Sequence, residues 1–259
     1  MGLLGGQLAA AILKRYVWHD VEASPGYEGR AKLESLFGPG IFDQIKDKVV
    51  LDFGCGLGSE ALEAARHARY VIGLDIVESY LAAARARQAE LAISNCAFVN
   101  AYNSKVDIIL AIDSFEHFDN PGEALIEMSK LLKPEGKLLV SFGPTWYHPK
   151  GGHFPLFIWA HLLLTEESMM TWRAQYKNDN ATCFREVEGG LNQMTIRGFE
   201  RLVTQSPLEF EYFKAVPIRS VRHLHCSLTR EFLTSVVRCT LVHRISGRRE
   251  VAAGLSEFH

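Results

Sequence analysis

A chain of 259 residues, 47% hydrophobic and 22% charged, is long enough to bury a core without disulfide or metal staples, and fits one globular domain carrying a sizeable insertion. Its 28 basic and 30 acidic residues leave a net charge of -2, which excludes the global positive field that binds phosphate backbones, so nucleic acid is not an expected partner. Cys55, Cys96, Cys183, Cys226 and Cys239 lie far apart with no C-x-x-C pair, which argues against a zinc site and for a reduced, cytoplasmic compartment.

The N-terminal stretch from Met1 to Leu13 is apolar, yet it lacks a basic lead, a cleavage site and the Ser or Thr that a myristoylation signal needs at Gly6. An apolar stripe through Leu8, Ala11, Ile12 and Tyr16 predicts a helix. A turn at Ser24-Pro25-Gly26, a second helix from about Tyr27 to Phe37 and a stop at Gly38-Pro39-Gly40 complete an N-terminal cap over 1–40. From Lys48 short β-branched runs alternate with helical stretches. Strands are expected at Val49 to Phe53, Tyr70 to Leu74, Ala97 to Val99, Val106 to Ile112 and Lys137 to Phe142, with helices at Ser59 to Ala68, Ser79 to Leu91 and Pro121 to Leu132. This alternation predicts an α/β fold, a Rossmann-like doubly wound parallel sheet covered on both faces. It defines a core over 41–144, interrupted by an aromatic insertion over 145–194. The core resumes over 195–247 with a helix at Thr195 to Gln205 and strands at Glu209 to Pro217 and Ser235 to Arg244, and 248–259 reads as a tail. Phe154 to Leu164, broken by Pro155 and His161, is too short for the ~20 residues of a membrane span.

The strongest signal is Asp52-Phe53-Gly54-Cys55-Gly56-Leu57-Gly58, where the first strand turns into the first helix of the core. Gly54 and Gly56 permit a tight turn and close ligand approach, and the helix start offers free N–H groups. A dinucleotide fingerprint would place its third glycine at position 59, which is Ser; here it falls at Gly58. Asp75 ends the second strand about 20 residues on, where a carboxylate accepts hydrogen bonds from both ribose hydroxyls and repels a 2′-phosphate.

Together these residues resemble the class I S-adenosylmethionine-dependent methyltransferases, over roughly Lys48 to Pro144. The glycine segment is similar to the family's nucleotide loop, and Asp75 and Ile76 to its ribose-binding strand end. Asn100-Ala101 stands where the family often has Asp-Ala at the adenine, and Leu131-Leu132-Lys133-Pro134-Glu135-Gly136 resembles its turn into the fifth strand. The resemblance implies S-adenosylmethionine as cofactor, held by Asp52, Gly54, Cys55, Gly56, Gly58, Asp75, Ile76, Asn100 and Ala101. It also implies Asp113 and Ser114 at the methionine end, and a seven-stranded sheet whose last strand is antiparallel.

Methyl transfer from a sulfonium needs alignment above all, worth up to roughly 7–11 kcal/mol, with a general base for oxygen or nitrogen acceptors. Candidate bases are His153, after the glycine pair Gly151-Gly152 in a lid-like insertion, and Glu116 and His117 after the fourth strand, with a structural role for His117 as the alternative. The insertion's aromatic residues suit an apolar acceptor pocket, although Phe157 and Trp159 read more simply as core. Arg185, Arg197 and Arg219 could meet an acidic substrate or simply be solvated; Tyr16, His19, Tyr27 and Arg30 are candidate contacts from the cap. Phe115-Glu116-His117-Phe118 also resembles a segment of the cyclopropane-fatty-acid synthases, and no other part of the chain does.

The expected activity is methylation of a small-molecule acceptor, on oxygen before nitrogen or carbon, with no metal. Two alternatives compete. An NAD-dependent oxidoreductase is opposed by Ser59 and by the lack of a Tyr-x-x-x-Lys pair; a catalytically inactive cofactor-binding protein is opposed by the intact Gly54, Gly56 and Asp75. Asp113-Ser114-Phe115-Glu116 replaces the Asn/Asp-Pro-Pro-aromatic motif of nucleic-acid amino-methyltransferases.

Overall fold

The computed structural model describes residues 2–18, 31–187 and 190–244. The turn at Ser24-Pro25-Gly26, the start of the second helix, the contacts expected of His19, Tyr27 and Arg30, and the tail lie outside these residues. The elements run α1 (Gly6–Leu13), α2 (Lys32–Phe37), α3 (Ile41–Ile45), β1 (Val49–Phe53), α4 (Ser59–Ala65), β2 (Tyr70–Leu74), α5 (Glu78–Glu90), β3 (Cys96–Val99) and β4 (Val106–Ile112). They continue through α6 (Pro121–Leu131), β5 (Leu132–Phe142), α7 (Ala160–Leu163), α8 (Glu166–Arg173), α9 (Ile196–Gln205), β6 (Leu208–Pro217), α10 (Arg230–Leu233) and β7 (Thr234–His243). The side chains of Asn120, Thr165 and Thr195 accept the backbone N–H groups of Glu123, Ser168 and Gly198, which fixes where α6, α8 and α9 begin.

Seven strands form one sheet in the order β3-β2-β1-β4-β5-β7-β6. Strands β1 to β5 are parallel, and β7 runs antiparallel to both β5 and β6. The chain winds from β1 out to β3, then crosses to β4 on the other side of β1, so a crevice opens at the carboxyl ends of β1 and β4. Alternate side chains of β1 serve opposite layers. Val50 joins Leu33, Ile41, Ile45, Leu81 and Leu110 on one face, and Leu51 joins Ile109, Leu125, Met128, Phe142 and Phe199 on the other. This double burial explains the near-continuous apolar strands.

A third apolar cluster lies apart from the sheet. Ala9 and Leu13 of α1 pack with Leu156, Leu164, Met169, Trp172, Phe184 and Leu191, so the chain's first helix and the insertion share one core. Backbone bonds join them as well: Leu4 N–H donates to Leu163 O and Thr165 N–H to Leu4 O, both at 2.9 Å. Phe157 packs against this cluster, and Trp159 donates its Nε1–H to Tyr147 O at 2.9 Å.

Several boundaries differ from the sequence expectation, α4 for example ending at Ala65. Helix α3 was not anticipated; its single turn buries Ile41 and Ile45 on one face. Strand β5 starts at Leu132 because Leu132 pairs with Val106 ahead of a register shift that precedes the Lys137–Ile108 pair. The first helix stops at Leu13, short of Tyr16. Among the described residues no helix is long and apolar enough to cross a membrane, and all five cysteines are free.

Candidate active site

The loop after β1 holds three glycines in left-handed conformations, with φ of 80° at Gly54, 50° at Gly56 and 76° at Gly58. Their surroundings separate their roles. A Cβ at Gly54 would lie 2.9 Å from Ser114 Cβ, and one at Gly58 would lie 2.6 Å from the Phe98 ring and 2.9 Å from Ala84 Cβ. At Gly56 a Cβ would meet nothing within 4 Å. Gly58 is therefore a packing glycine at the start of α4, whereas Gly56 faces open space where a ligand can approach the main chain.

Asp75 is turned toward this loop. Its Oδ2 accepts from Gly56 N–H at 2.8 Å and its Oδ1 from Val77 N–H at 2.9 Å. Asp75 N–H donates to Val99 O at 3.2 Å, which brings Asn100 and Ala101, both exposed, beside Asp75 and Ile76. Ile76 is 91% exposed, an apolar side chain at the rim of the crevice. The Cys55 side chain sits in the core, its Sγ–H donating to Gly56 O at 3.8 Å, and burial pushes its thiol pKa up. Asp52 is buried beneath the loop with Oδ2 lacking a partner, and burial, then Glu60, raises its pKa well above the carboxylate range.

At the end of β4, Asp113 adopts φ 48° and donates its N–H to Ser141 O at 2.7 Å, while Ser114 Oγ donates to Phe53 O at 3.2 Å. Both thus stand beside the glycine loop. Lys32 Nζ joins them, 2.6 Å from Glu60 Oε1 and 2.9 Å from Asp113 Oδ2. Burial alone would lower the Lys32 pKa, but Asp113 and Glu60 outweigh it and raise the pKa. Glu63 anchors this arrangement by accepting the N–H groups of Lys32 and Leu33 at 3.1 and 3.0 Å. Sequence reasoning missed Lys32, because nothing local connects α2 to the far end of β4.

Glu116 is 3% exposed; its Oε1 accepts from Gly143 N–H at 3.1 Å and its Oε2 has no partner. Burial, then Asp113, pushes its pKa up to about 8. Held protonated at neutral pH, it is ill suited to act as a base. From pH 4.5, its ordinary value, to about 8, the unfolded chain gives up a proton that the folded chain keeps, so stability falls as pH rises through that window. Glu116→Gln is expected to gain on the order of 2 kcal/mol at pH 8 and to flatten the dependence of melting temperature on pH. Calorimetry at pH 5 and pH 8 checks this.

His117 and His153 are brought together, their ring centroids 5.9 Å apart. His117 Nδ1 lies 2.7 Å from Gly190 O, which assigns the proton to Nδ1 and leaves Nε2 as an acceptor. Asn192 straps the same turn, donating Nδ2–H to Phe115 O and Phe118 O at 2.8 and 2.9 Å. His153, at φ 57°, has Nε2 3.4 Å from Pro144 O, and burial, then His117, pushes its pKa down to about 4. Gly151 and Gly152 are buried. A Cβ on Gly151 would meet Trp146 O at 2.3 Å and one on Gly152 would meet His161 Cβ at 2.6 Å, so the pair serves close packing where a flexible hinge was expected.

Both histidines line a cavity of about 130 Å³ that also touches Trp18, Phe154, Arg173 and Lys177. The arginines singled out from sequence do not line it: Arg185 donates to Asp119 O, Arg197 is 69% exposed and Arg219 is exposed. Tyr16 packs against Phe157 at 5.7 Å. The cue for Arg173 was its position among Met169, Met170 and Trp172, a cation on a helix face that is otherwise apolar. No group of three or more potential metal ligands occurs among the described residues.

The profile of the methyltransferase domain family matches residues 51–140. Ubiquinone biosynthesis O-methyltransferase of Coxiella burnetii is 37% identical over 105 residues, covering 38% of this chain and 44% of that protein. A probable S-adenosylmethionine-dependent methyltransferase of Mycolicibacterium smegmatis is 36% identical over 94 residues, covering 36% of this chain and 37% of that protein. The chain thus spans less than half the length of these relatives. Among solved structures, a Pyrococcus horikoshii protein superposes with a TM-score of 0.53 at 17% identity, covering 86% of this chain and 97% of the other. Magnesium protoporphyrin IX methyltransferase from Synechocystis, with bound S-adenosylhomocysteine, gives 0.51 at 15% identity, covering 79% of this chain and 77% of the other. These likenesses show the fold, and the family match falls on the strands and loops that build the crevice. Residues 51–140 therefore belong to the class I S-adenosylmethionine-dependent methyltransferase family.

Proposed function

We propose that the chain transfers a methyl group from S-adenosylmethionine to a hydroxyl oxygen of a small-molecule acceptor. The observation that carries this reading is the Asp75 carboxylate held 2.8 Å from Gly56 N–H, across a loop whose central glycine opens onto empty space. The residues fit the cofactor. A Cβ at Gly56 would intrude on the cradle, the Asp75 carboxylate is placed for the ribose hydroxyls, and Asn100, Ala101 and the exposed Ile76 lie at the rim for the adenine. Asp113, Ser114 and Lys32 flank the end where the amino-acid portion belongs. An oxygen acceptor is supported by the O-methyltransferase relatives and by the histidine pair at the crevice.

When bound, S-adenosylmethionine supplies a methyl group activated by its positive sulfur, which leaves as the carbon–oxygen bond forms. His117 Nε2 takes the hydroxyl proton, its ring held by the bond from Nδ1 to Gly190 O. Neutral His153 positions the hydroxyl beside it. The walls of the cavity exclude water and align the nucleophile, the larger part of the rate advantage in such displacements.

Asp75→Ala is expected to weaken S-adenosylhomocysteine binding at least tenfold, by removing charge-assisted hydrogen bonds and the Gly56 tether. Titration calorimetry measures this, and an unchanged affinity would refute the placement. The dehydrogenase alternative predicts instead that NAD protects the protein from heat; a specific ligand at a hundred times its dissociation constant adds about 2.7 kcal/mol.

A further inference from the structure

Resting on the His117 reading above, we propose that Asn192 is a positioning residue for that base: it ties the stretch 190–192 to the turn that bears His117, and thereby keeps the proton on Nδ1 and the lone pair on Nε2. The turn comes first. Phe115–His117 is a single turn of 3-10 helix, and so short an element satisfies almost none of its own backbone groups. One residue takes up its carbonyls. Asn192 donates its N–H to Glu116 O at 2.9 Å, and its Nδ2–H group to Phe115 O at 2.8 Å and Phe118 O at 2.9 Å. Carbonyls only accept, so the amide nitrogen and not its oxygen must face them.

The same stretch meets the imidazole two residues earlier. Gly190 turns back at φ 65°, its N–H donating to Val187 O at 2.6 Å, and presents its own carbonyl 2.7 Å from His117 Nδ1. A free neutral imidazole favours the tautomer with its proton on Nε2; a carbonyl fixed against Nδ1 reverses that choice. Once Nε2 has taken a proton, the carbonyl accepts from an imidazolium, which is a stronger bond. The reversal holds only while Gly190 O and the ring keep their separation, and Asn192 joins the two sides of that contact. The stretch is anchored at both ends. Leu191 is buried in the cluster that α1 shares with the insertion, Met194 in the layer with Phe142 and Phe199, and Trp146 N–H donates to Met194 O at 2.8 Å. Gly190 and Leu191 also line the cavity, so the insertion supplies both the acceptor wall and the constraint on the base.

Nitrogen–proton correlation NMR of the full chain carrying isotope-labelled histidine reads the tautomer directly and needs neither cofactor nor acceptor. At about pH 9, where an ordinary imidazole is neutral, wild-type His117 is expected to show the Nδ1–H form alone, its signals assigned by their loss in His117→Ala. Asn192→Ala is expected to convert it to a mixture containing the Nε2–H form, with S-adenosylhomocysteine affinity changed by less than about threefold. Asn192→Gln, which keeps the amide donors, is expected to retain more of the Nδ1–H form than Asn192→Ala. The proposal is overturned if wild-type His117 carries its proton on Nε2, a result that requires no variant to fold. It is overturned equally if folded Asn192→Ala keeps the Nδ1–H form unchanged, since Asn192 would then only brace the turn. Loss of that form in Asn192→Ala, in a protein whose wild type fails to bind S-adenosylhomocysteine, would sustain the positioning role and count against the cofactor reading alone.

Discussion

Gly58→Ala is expected to destabilise the fold by roughly 3 kcal/mol, whereas Gly56→Ala costs about 1–2 kcal/mol and instead weakens cofactor binding at least tenfold. Both positions have left-handed φ, so both substitutions carry backbone strain. They differ in what a methyl group would meet. At position 58 it lies 2.6 Å from the Phe98 ring and 2.9 Å from Ala84 Cβ, and the helix start, β3 and α5 must all shift to admit it. At position 56 it enters open space on the side where the nucleoside is proposed to lie. Thermal unfolding and calorimetric titration of the two variants separate the roles. Equal losses of stability at both positions would contradict this division.

His117→Ala is expected to lower kcat by about 10²- to 10⁴-fold, with S-adenosylhomocysteine affinity changed less than threefold. The base needs a lone pair aimed into the cavity and a second contact that fixes the ring. The ring of His117 lines the cavity, and the 2.7 Å bond from Nδ1 to Gly190 O supplies the fixing contact. His153 has the weaker tether at 3.4 Å and a pKa near 4, so His153→Ala is expected to cost less in kcat and more in KM for the acceptor. Because His153 is neutral above about pH 5, its removal should leave the shape of the pH profile near neutrality unchanged. Steady-state kinetics of the two variants across pH decide between them. Full activity in His117→Ala with loss in His153→Ala would transfer the base to the insertion.

The sheet was legible because its strands are buried on both faces, and a run such as Val49 to Phe53 admits few other structures. The glycine loop and Asp75 were legible because tight turns and strand ends impose residue types at fixed spacing. What the sequence could not reveal is contact between distant segments. Lys32 reaches Asp113 only because α2 lies on α4, and Arg173 meets Trp18 only because α1 packs on the insertion. Glu116 illustrates a subtler limit: a carboxylate beside a histidine reads as acid-base machinery, yet burial and the nearby Asp113 charge raise its pKa and keep it protonated, against the opposing bond from Gly143 N–H. The glycine pair before His153 reads as a hinge, while its lack of side chains turns out to accommodate Trp146 O and His161.

The apolar cluster shared by α1 and the insertion stands outside the two layers that cover the sheet. On the function proposed above, recognition of the acceptor would rest on a cooperative unit of its own, assembled from stretches separated by most of the sheet-forming core. Such a module can be re-tailored for a new acceptor without disturbing the strands beneath. Trimming the leading helix would strip Ala9 and Leu13 from that cluster even though every residue of the glycine loop and the Asp75 strand end remained.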